Sequence, residues 1–267
     1  MPKTGSTDMP ASSGGRMRLD KLLLARGLYA SRSRATDAIR RGAVRVDGKM
    51  VRKPGALVAA DADITLTDAA AALVSRAGLK LLAAIEAEPA LKRAIAGAVC
   101  ADIGASTGGF TQVLLQHGAR RVYAVDVGHD QLHESLRHDP RVVMLEGVNA
   151  RALGPQHVPQ APAVIVADVS FISLKKALPA VLALAAPGAW LVALVKPQFE
   201  AGPQHVGSRG IVRDDRIRRR VLADIRAWVE GCGWRVARIL ASPIEGADGN
   251  REFLLLARKD ADQARSS

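Results

Sequence analysis

Polar residues stand at the ends of four apolar runs, and their types could do chemistry. Ala98-Val99-Cys100-Ala101 leads into Asp102, and Val122-Tyr123-Ala124-Val125 leads into Asp126. Val164-Ile165-Val166-Ala167 leads into Asp168, and Leu191-Val192-Ala193-Leu194-Val195 leads into Lys196. A short run that is apolar at every position reads as a strand covered on both faces, because such a strand has no alternation to show. In open α/β sheets, ligands bind outside the carboxyl ends of the strands. Three carboxylates and an amine would then gather at one mouth. An acid and a lysine at adjacent strand ends can orient a substrate and move a proton. The plainer reading of the same residues is an ion pair or solvated strand ends.

The segment after Asp102 narrows the ligand. It runs Ile103-Gly104-Ala105-Ser106-Thr107-Gly108-Gly109-Phe110, and Thr111 to His117 then reads as a helix stopped by Gly118. Glycines let backbone approach a ligand, and a helix N-terminus offers it free N–H groups. Asp126, roughly 20 residues beyond the turn, suits a pair of ribose hydroxyls. Val127 follows it, and Asn149, after the third strand, could read an adenine through its amide. A dinucleotide site would want G-x-G-x-x-G. Here the pattern is D-x-G-x-x-x-G-G, and its leading acid would repel a pyrophosphate but could hold the amino group of a methionine moiety. The turn resembles the S-adenosylmethionine loop of class I methyltransferases; another nucleotide-binding α/β turn is the alternative. The resemblance assigns Asp102, Gly104, Ala105, Ser106, Thr107, Gly108, Gly109, Phe110, Asp126, Val127, Asn149 and Asp168 to that cofactor.

The elements that must position these residues alternate. Strands are expected at 98–103, 121–126, 141–145, 163–168, 189–195, 234–241 and 252–258. Helices are expected at about 76–87, 111–117, 130–137, 174–185 and 214–230. This is the pattern of a mostly parallel sheet wound on both faces. The stretch Ala177 to Val195 carries no charge and is long enough to span a membrane on paper. Pro187-Gly188 splits it, so helix, turn and strand of an α/β core is the expectation.

The chain has 267 residues and a net charge of +12, which points to a polyanionic partner. Its two cysteines, Cys100 and Cys232, have no metal-ligand spacing, so no metal and a reduced, cytoplasmic compartment are expected. Met1 to Gly15 is polar and Ser/Gly-rich, without the apolar core of a secretory signal.

The positive charge has a clear home. Leu19 to Arg26 has its apolar residues on one helical face and ends at Gly27. Ser31 caps a second helix, Arg32 to Arg41, which stops at Gly42. Val44-Arg45-Val46 and Lys49-Met50-Val51 flank Asp47-Gly48, a strong hairpin turn, and Ile64-Thr65-Leu66 reads as a closing strand. Arg18-Leu-Asp-Lys-Leu-Leu, Ser31-Arg-Ser-Arg-Ala and Gly42-Ala-Val-Arg-Val-Asp-Gly-Lys49 together resemble the S4-type RNA-binding module. Arg18, Lys21, Arg32, Arg34, Arg40, Arg41 and Lys49 are its expected RNA contacts, following phosphates by charge and shape. Aromatics make up only 3% of the chain, so base stacking can use few of them; Phe171 and Phe199 lie nearest the expected mouth.

A wider resemblance joins the two halves. Val74-Ser-Arg-Ala-Gly-Leu-Lys80, the glycine turn, Asp126-Val-Gly, Asp168-Val-Ser-Phe-Ile-Ser173, Val195-Lys-Pro-Gln-Phe-Glu-Ala-Gly202, and Ser242-Pro-Ile-Glu-Gly with Gly249-Asn-Arg-Glu-Phe253 resemble the TlyA, or haemolysin-A-like, family. The family pairs the basic module with an FtsJ-like methyltransferase domain. It implies a class I methyltransferase fold, Rossmann-like, with a mostly parallel seven-stranded sheet, an antiparallel last strand, and a small α+β module ahead of it. It also implies S-adenosylmethionine as cofactor, a catalytic tetrad of Lys80, Asp168, Lys196 and Glu252, and ribosomal RNA or ribosomal subunits as substrate, with methylation of a cytidine 2′-hydroxyl. Ala77, Leu73, His129 and Glu245 depart from the pattern, where a glycine, an aromatic, another residue and a lysine are usual.

A hydroxyl is a poor nucleophile until it loses its proton. Lys196 can take that proton only when neutral; Lys80 beside it disfavours a second positive charge, and the two carboxylates favour one. The expected organisation is a disordered tail at 1–16, the RNA-binding module at 17–66, a linker at 67–75, the methyltransferase domain at 76–258 and a second tail at 259–267. Rival functions are a non-catalytic RNA-binding assembly factor and a membrane-active haemolysin, with base methylation the runner-up among enzymes. Oligomeric state has no signature in the sequence.

Overall fold

The computed structural model describes residues 15–260, apart from 30, 68–71, 209, 247 and 248. The chain divides into two compact units, with the break between Ala72 and Leu73.

In the first unit, β1 (Arg16–Arg18) runs into α1 (Leu19–Ala25), followed by α2 (Arg32–Arg41). β2 (Val44–Val46), β3 (Lys49–Met50), β4 (Leu57–Ala59) and β5 (Ile64–Leu66) complete it. β3, β2 and β5 form one antiparallel sheet, and β1 pairs antiparallel with β4. The β1–β4 pair has no alternating pattern, and the sequence does not announce it. α2 begins where Ser31 Oγ accepts from Arg34 N at 3.3 Å and ends at Gly42, whose φ of 77° is left-handed. The β2–β3 hairpin turns on Asp47 and Gly48, with φ of 49° and 74°; both central residues need the left-handed region in the hairpin turn that matches strand twist. Leu19, Leu22 and Leu23 pack on Ala35, Ala38 and Ile39 above Val44 and Val46.

The second unit begins with α3 (Gly78–Ala87) and α4 (Pro89–Ile95), then β6 (Val99–Ile103), α5 (Gly109–Gln116), β7 (Arg121–Asp126), α6 (Glu134–Arg137) and β8 (Val142–Glu146). It continues with β9 (Val164–Ala167), α7 (Leu174–Ala177), α8 (Pro179–Leu184), β10 (Trp190–Val195), α9 (Pro197–Glu200), α10 (Asp215–Gly231), β11 (Trp234–Ala241) and β12 (Phe253–Lys259). The seven strands lie in the order β11-β12-β10-β9-β6-β7-β8. β10, β9, β6, β7 and β8 are parallel, whereas β12 is antiparallel to both β10 and β11. Alternate residues of each strand serve opposite faces. Ala101, Ile103, Ile165 and Leu191 meet Leu178, Val181 and Ile225 on one side. Cys100, Val164, Val166 and Val192 meet Leu81, Leu91 and Leu114 on the other.

Two helices are shorter than expected. The helix read at 130–137 is only α6, because the Glu146 carboxylate accepts from the backbone N–H groups of Asp130, Gln131 and Leu132, and the chain wraps that anion instead of extending the helix. The helix read at 174–185 is α7 and α8, interrupted where Pro179 has no N–H to offer. The uncharged stretch 177–195 is α8, a turn and β10, and no helix among the described residues is long and apolar enough to cross a membrane. Of the segments read as tails and linker, Arg16 and Lys259 lie in strands and Leu73 is buried in the second unit. Residues 1–14, 68–71 and 261–267 of those segments lie outside the described residues.

Among the described residues, the first unit has one buried carboxylate, Asp20, which is 2% exposed. Arg18 and Arg32 each reach Asp20 Oδ2 at 2.9 Å. Hydrogen bonding from Arg18, more than the charge of either arginine, lowers the Asp20 carboxyl to about 2 from an ordinary 3.8. A lowered folded value means the contribution to stability is complete above about 4 and is lost as pH falls through about 2. Asp20→Asn is expected to lower the melting temperature at pH 7 and to flatten the acid limb between pH 4 and 2. Thermal melts followed by circular dichroism across that range check this; parallel acid limbs in the two proteins would contradict it.

Candidate active site

Lys80, Asp168, Lys196 and Glu252 meet at the carboxyl ends of β9 and β10. Lys80 Nζ is 2.7 Å from Glu252 Oε2 and 3.4 Å from Asp168 Oδ2. Lys196 Nζ is 2.7 Å from Asp168 Oδ1. The four groups form one chain of alternating charge, Glu252–Lys80–Asp168–Lys196. Lys80, Lys196 and Glu252 are buried.

Register explains how three of the four arrive. Asp168 N donates to Ile103 O just past the end of β9. Val195, the last residue of β10, pairs with Phe253, the first of β12. Because that pairing is antiparallel, Lys196 leaves the sheet where Glu252 enters it. A parallel last strand would have carried its first residue to the opposite edge. Lys80 comes from α3, which can approach only because two glycines face each other. A Cβ on Gly109 would lie 3.0 Å from Gly78 N, and one on Gly78 would lie 3.0 Å from Gly109 O.

The glycine turn lies beside this chain of charges. A cavity of about 200 Å³ is lined by residues that include Asp102, Gly104, Thr107, Asp168, Ser170 and Lys196. Gly104, with φ of 79°, crosses so close to the Asp168 carbonyl that a Cβ could not be accommodated. Asp102 is fully buried; Thr111 Oγ1 donates to its Oδ2 at 2.7 Å. Its Oδ1 has no hydrogen-bond partner among the described residues. Burial pushes this carboxyl up to about 7, against the lowering effect of Thr111. Asp126 is anchored by Ser106 N on Oδ2 and Gly128 N on Oδ1, both at 2.8 Å, which leaves each oxygen a further lone pair. Val127 is exposed, and the Asn149 side-chain oxygen accepts from Arg151 N at 3.0 Å, leaving its NH₂ group to donate outward.

The two aromatics expected near the mouth meet each other there. Phe171, with a left-handed φ of 63°, is 92% exposed, and its ring centroid is 5.2 Å from that of Phe199. The geometry also adds residues that sequence reasoning did not single out. Lys196 Nζ donates to Ser170 Oγ at 2.7 Å. Glu200 ties the loop after β9 down, accepting from Ser173 Oγ at 2.6 Å and Leu174 N at 2.8 Å. Gly246 lies so close to Glu252 that a Cβ would run into its carboxylate. Only the clustering of small residues in Gly246 to Gly249 hints at that approach.

Of the basic residues expected on RNA, Arg18 and Arg32 share Asp20, and Arg41 pairs with Asp37 at 2.9 Å. The side chains of Arg18 and Arg32 remain 43% and 53% exposed. Lys21, Arg40 and Lys49 are exposed, and Arg34 is half-buried.

Gly246→Ala is expected to displace Glu252 from Lys80 while the sheet stays intact. Turnover at this site should fall by roughly 10²-fold, the scale for misplacing a group by about 1 Å, with the melting temperature changed by only a few degrees. Full activity in this variant would remove the Lys80–Glu252 contact from the site.

Comparison with known proteins gives the family. The model of the FtsJ-like methyltransferase family matches residues 73–259, and that of the S4 domain matches residues 17–64. The 16S/23S rRNA (cytidine-2′-O)-methyltransferase TlyA of Mycobacterium tuberculosis is 45% identical over 253 residues, covering 94% of this chain and 93% of that protein. Hemolysin A of Brachyspira hyodysenteriae is 42% identical over 89% of this chain and 98% of its own length. A solved structure from Streptococcus thermophilus, 39% identical, superposes with a TM-score of 0.69 and covers 93% of this chain and 90% of that one. An FtsJ-like unit behind an S4 domain, with this similarity over nearly the whole chain, makes the protein a member of the TlyA family of FtsJ-like methyltransferases.

Proposed function

We propose that the protein transfers the methyl group of S-adenosylmethionine to the 2′-hydroxyl of a cytidine in ribosomal RNA. The observation that carries this reading is the continuous chain Glu252–Lys80–Asp168–Lys196 on a cavity that also reaches Asp102. The M. tuberculosis relative is named for cytidine 2′-O-methylation of rRNA, and the S4 domain supplies a separate basic unit for RNA.

The residues of the mouth fit the cofactor. Asp102 Oδ1 can accept from its ammonium group, the glycine turn leaves room for its backbone to close over the methionine part, and Asp126 keeps lone pairs for ribose hydroxyls. When bound, the cofactor supplies an electrophilic methyl group. The remaining work is placement and proton removal. Lys196 Nζ, held by Asp168 and Ser170, takes the proton of the ribose oxygen when it is in its neutral form. Lys80 pairs with the other oxygen of Asp168, so both oxygens of that carboxylate are engaged and its position against Lys196 is fixed. Glu252 in turn fixes Lys80. Phe171, solvent-exposed against Phe199, whose ring centroid lies 6.0 Å from Lys196 Nζ, offers a face on which the target base can stack.

Lys196→Ala is expected to lower methyl transfer to ribosomal subunits by roughly 10²–10⁴-fold, the worth of a positioned acid–base group, with cofactor and RNA affinity retained. Nucleosides released from the wild-type product should contain 2′-O-methylcytidine. A base-methylated nucleoside, or normal turnover by the variant, would overturn the reading. No methyl transfer at all, with RNA bound, would favour an assembly factor, and leakage of RNA-free liposomes would favour a haemolysin.

Asp102 gives a pH test. Its folded value, about 7, lies above the ordinary 3.8. The neutral carboxyl therefore favours the ligand-free fold fully below about pH 4, and that contribution is lost as pH rises through about 7. An ammonium group at Oδ1 reverses the preference and expels the proton. Cofactor binding at pH 6 should release close to one proton, roughly as the raised value requires, and affinity should weaken from pH 7 to pH 5. Calorimetry in buffers of different ionisation enthalpy measures the release. In Asp102→Asn, buffer dependence should vanish; its persistence would assign the proton elsewhere.

A further inference from the structure

A second cavity, of about 470 Å³, opens beside the chain of charges and is not used by the mechanism above. One wall is the first turns of α10, with Asp215, Arg218, Arg219 and Leu222; the other runs from Ala241 at the end of β11, through Ile244, Arg251 and Glu252 of the connecting segment, to Phe253 at the start of β12. Its size falls within the range of pockets that enclose a small ligand. Glu252 belongs to both places, since it lines this cavity while its Oε2 is 2.7 Å from Lys80 Nζ. Whatever occupies the cavity is linked to Asp168 by two ion pairs that share Lys80.

The lining is matched to a nucleotide. Arg218 is committed to the protein, donating to Asp215 and, at 2.5 Å, to Val212 O. Its burial, and the bonds it makes, fix the floor. Arg219 and Arg251 are exposed at the rim, and both lie near enough that their charges add to the effect of Arg218 in lowering the Asp215 carboxyl. Leu222, Ile244 and Phe253 supply an apolar strip between them. Guanidinium groups bind phosphate in a fork, and an apolar face accepts a base.

We infer that this cavity receives the RNA nucleotide next to the methylated one, with Arg219 and Arg251 on its phosphate and Leu222, Ile244 and Phe253 against its base. The inference rests on RNA being the substrate. A target ribose at Lys196 sends its neighbouring phosphate out of the catalytic cavity, and the Glu252 side of the mouth leads directly to these arginines. Glu245 and the exposed Asp215, which also line the cavity, oppose phosphate there and limit how tightly the nucleotide is held.

The test uses the full-length protein with purified ribosomal subunits and extracted ribosomal RNA. Arg219→Ala/Arg251→Ala should raise KM for RNA by roughly tenfold or more, with kcat at saturation, cofactor affinity and melting temperature retained. The slope of log affinity against log salt should flatten by about 1.4, or roughly 0.7 for each single-strand phosphate contact. Glu245→Lys should tighten binding and steepen the slope. Arg216→Ala/Arg226→Ala removes two charges from the same helix without touching the cavity and should change neither KM nor slope. Equal effects from the two double variants would show diffuse attraction and overturn the subsite, as would an unchanged KM and slope in Arg219→Ala/Arg251→Ala. Should the wild-type protein transfer no methyl group to RNA, the proposed function falls, and the salt slopes of binding still decide whether the cavity holds RNA.

Discussion

The site depends on keeping two lysines and two carboxylates in contact where little water reaches them. Taking charges out of water costs several kcal/mol per ion even after relaxation, and a buried ion chain is therefore a poor means of stabilising a fold. A single Lys80 ammonium serves two anions, Glu252 and Asp168, and Asp168 in turn serves two cations. Removing Lys80 strands Glu252, and removing Asp168 strands Lys196, each buried without its counter-charge. The fold must therefore bring four residues from distant parts of the chain to the same few ångströms, and most of the second unit can be read as the means of doing so.

Three devices achieve it. Parallel β9 and β10 end side by side, which places Asp168 and Lys196 together. The antiparallel entry of β12 brings Glu252 to the edge where Lys196 leaves. Close approach of Gly78 to Gly109 lets α3 lay Lys80 over the mouth. The last device also links the two halves of the chemistry, since Gly109 belongs to the turn that frames Asp102 and the cofactor-facing cavity. Ser170 and Glu200 then hold the loop after β9 against the segment after β10, so Lys196 has a defined position from both sides.

Much of this is legible in the chain itself. Fully apolar runs mark the buried strands, so the polar residues that end them, Asp102, Asp126, Asp168 and Lys196, fall at one mouth on the strength of the pattern alone. Asp47-Gly48 announces its hairpin because few dipeptides accept two left-handed residues. Lys80 and Glu252 are different. One lies on a helix and the other precedes a strand, neither position has a periodic signature, and only resemblance to a family singles them out. Ser170 and Glu200 leave no local signal, and Gly246 only the hint of a small-residue cluster, because their roles depend on long-range approach. The short α6 leaves none because a carboxylate 14 or more residues downstream of Gln131 and Leu132 captures their backbone donors. Arg18 and Arg32 read as free phosphate ligands, since sequence does not reveal that Asp20 is buried between them.

The central claim is that Glu252–Lys80–Asp168–Lys196 acts as one unit. A double-mutant cycle on single-turnover methyl transfer, with Lys80→Met, Glu252→Gln and the two combined, tests it most directly. The account predicts strong non-additivity, the double variant being no slower than the slower single one, with cofactor affinity and melting temperature measured for all four proteins. Losses that multiply would show that Lys80 and Glu252 act independently and would contradict it.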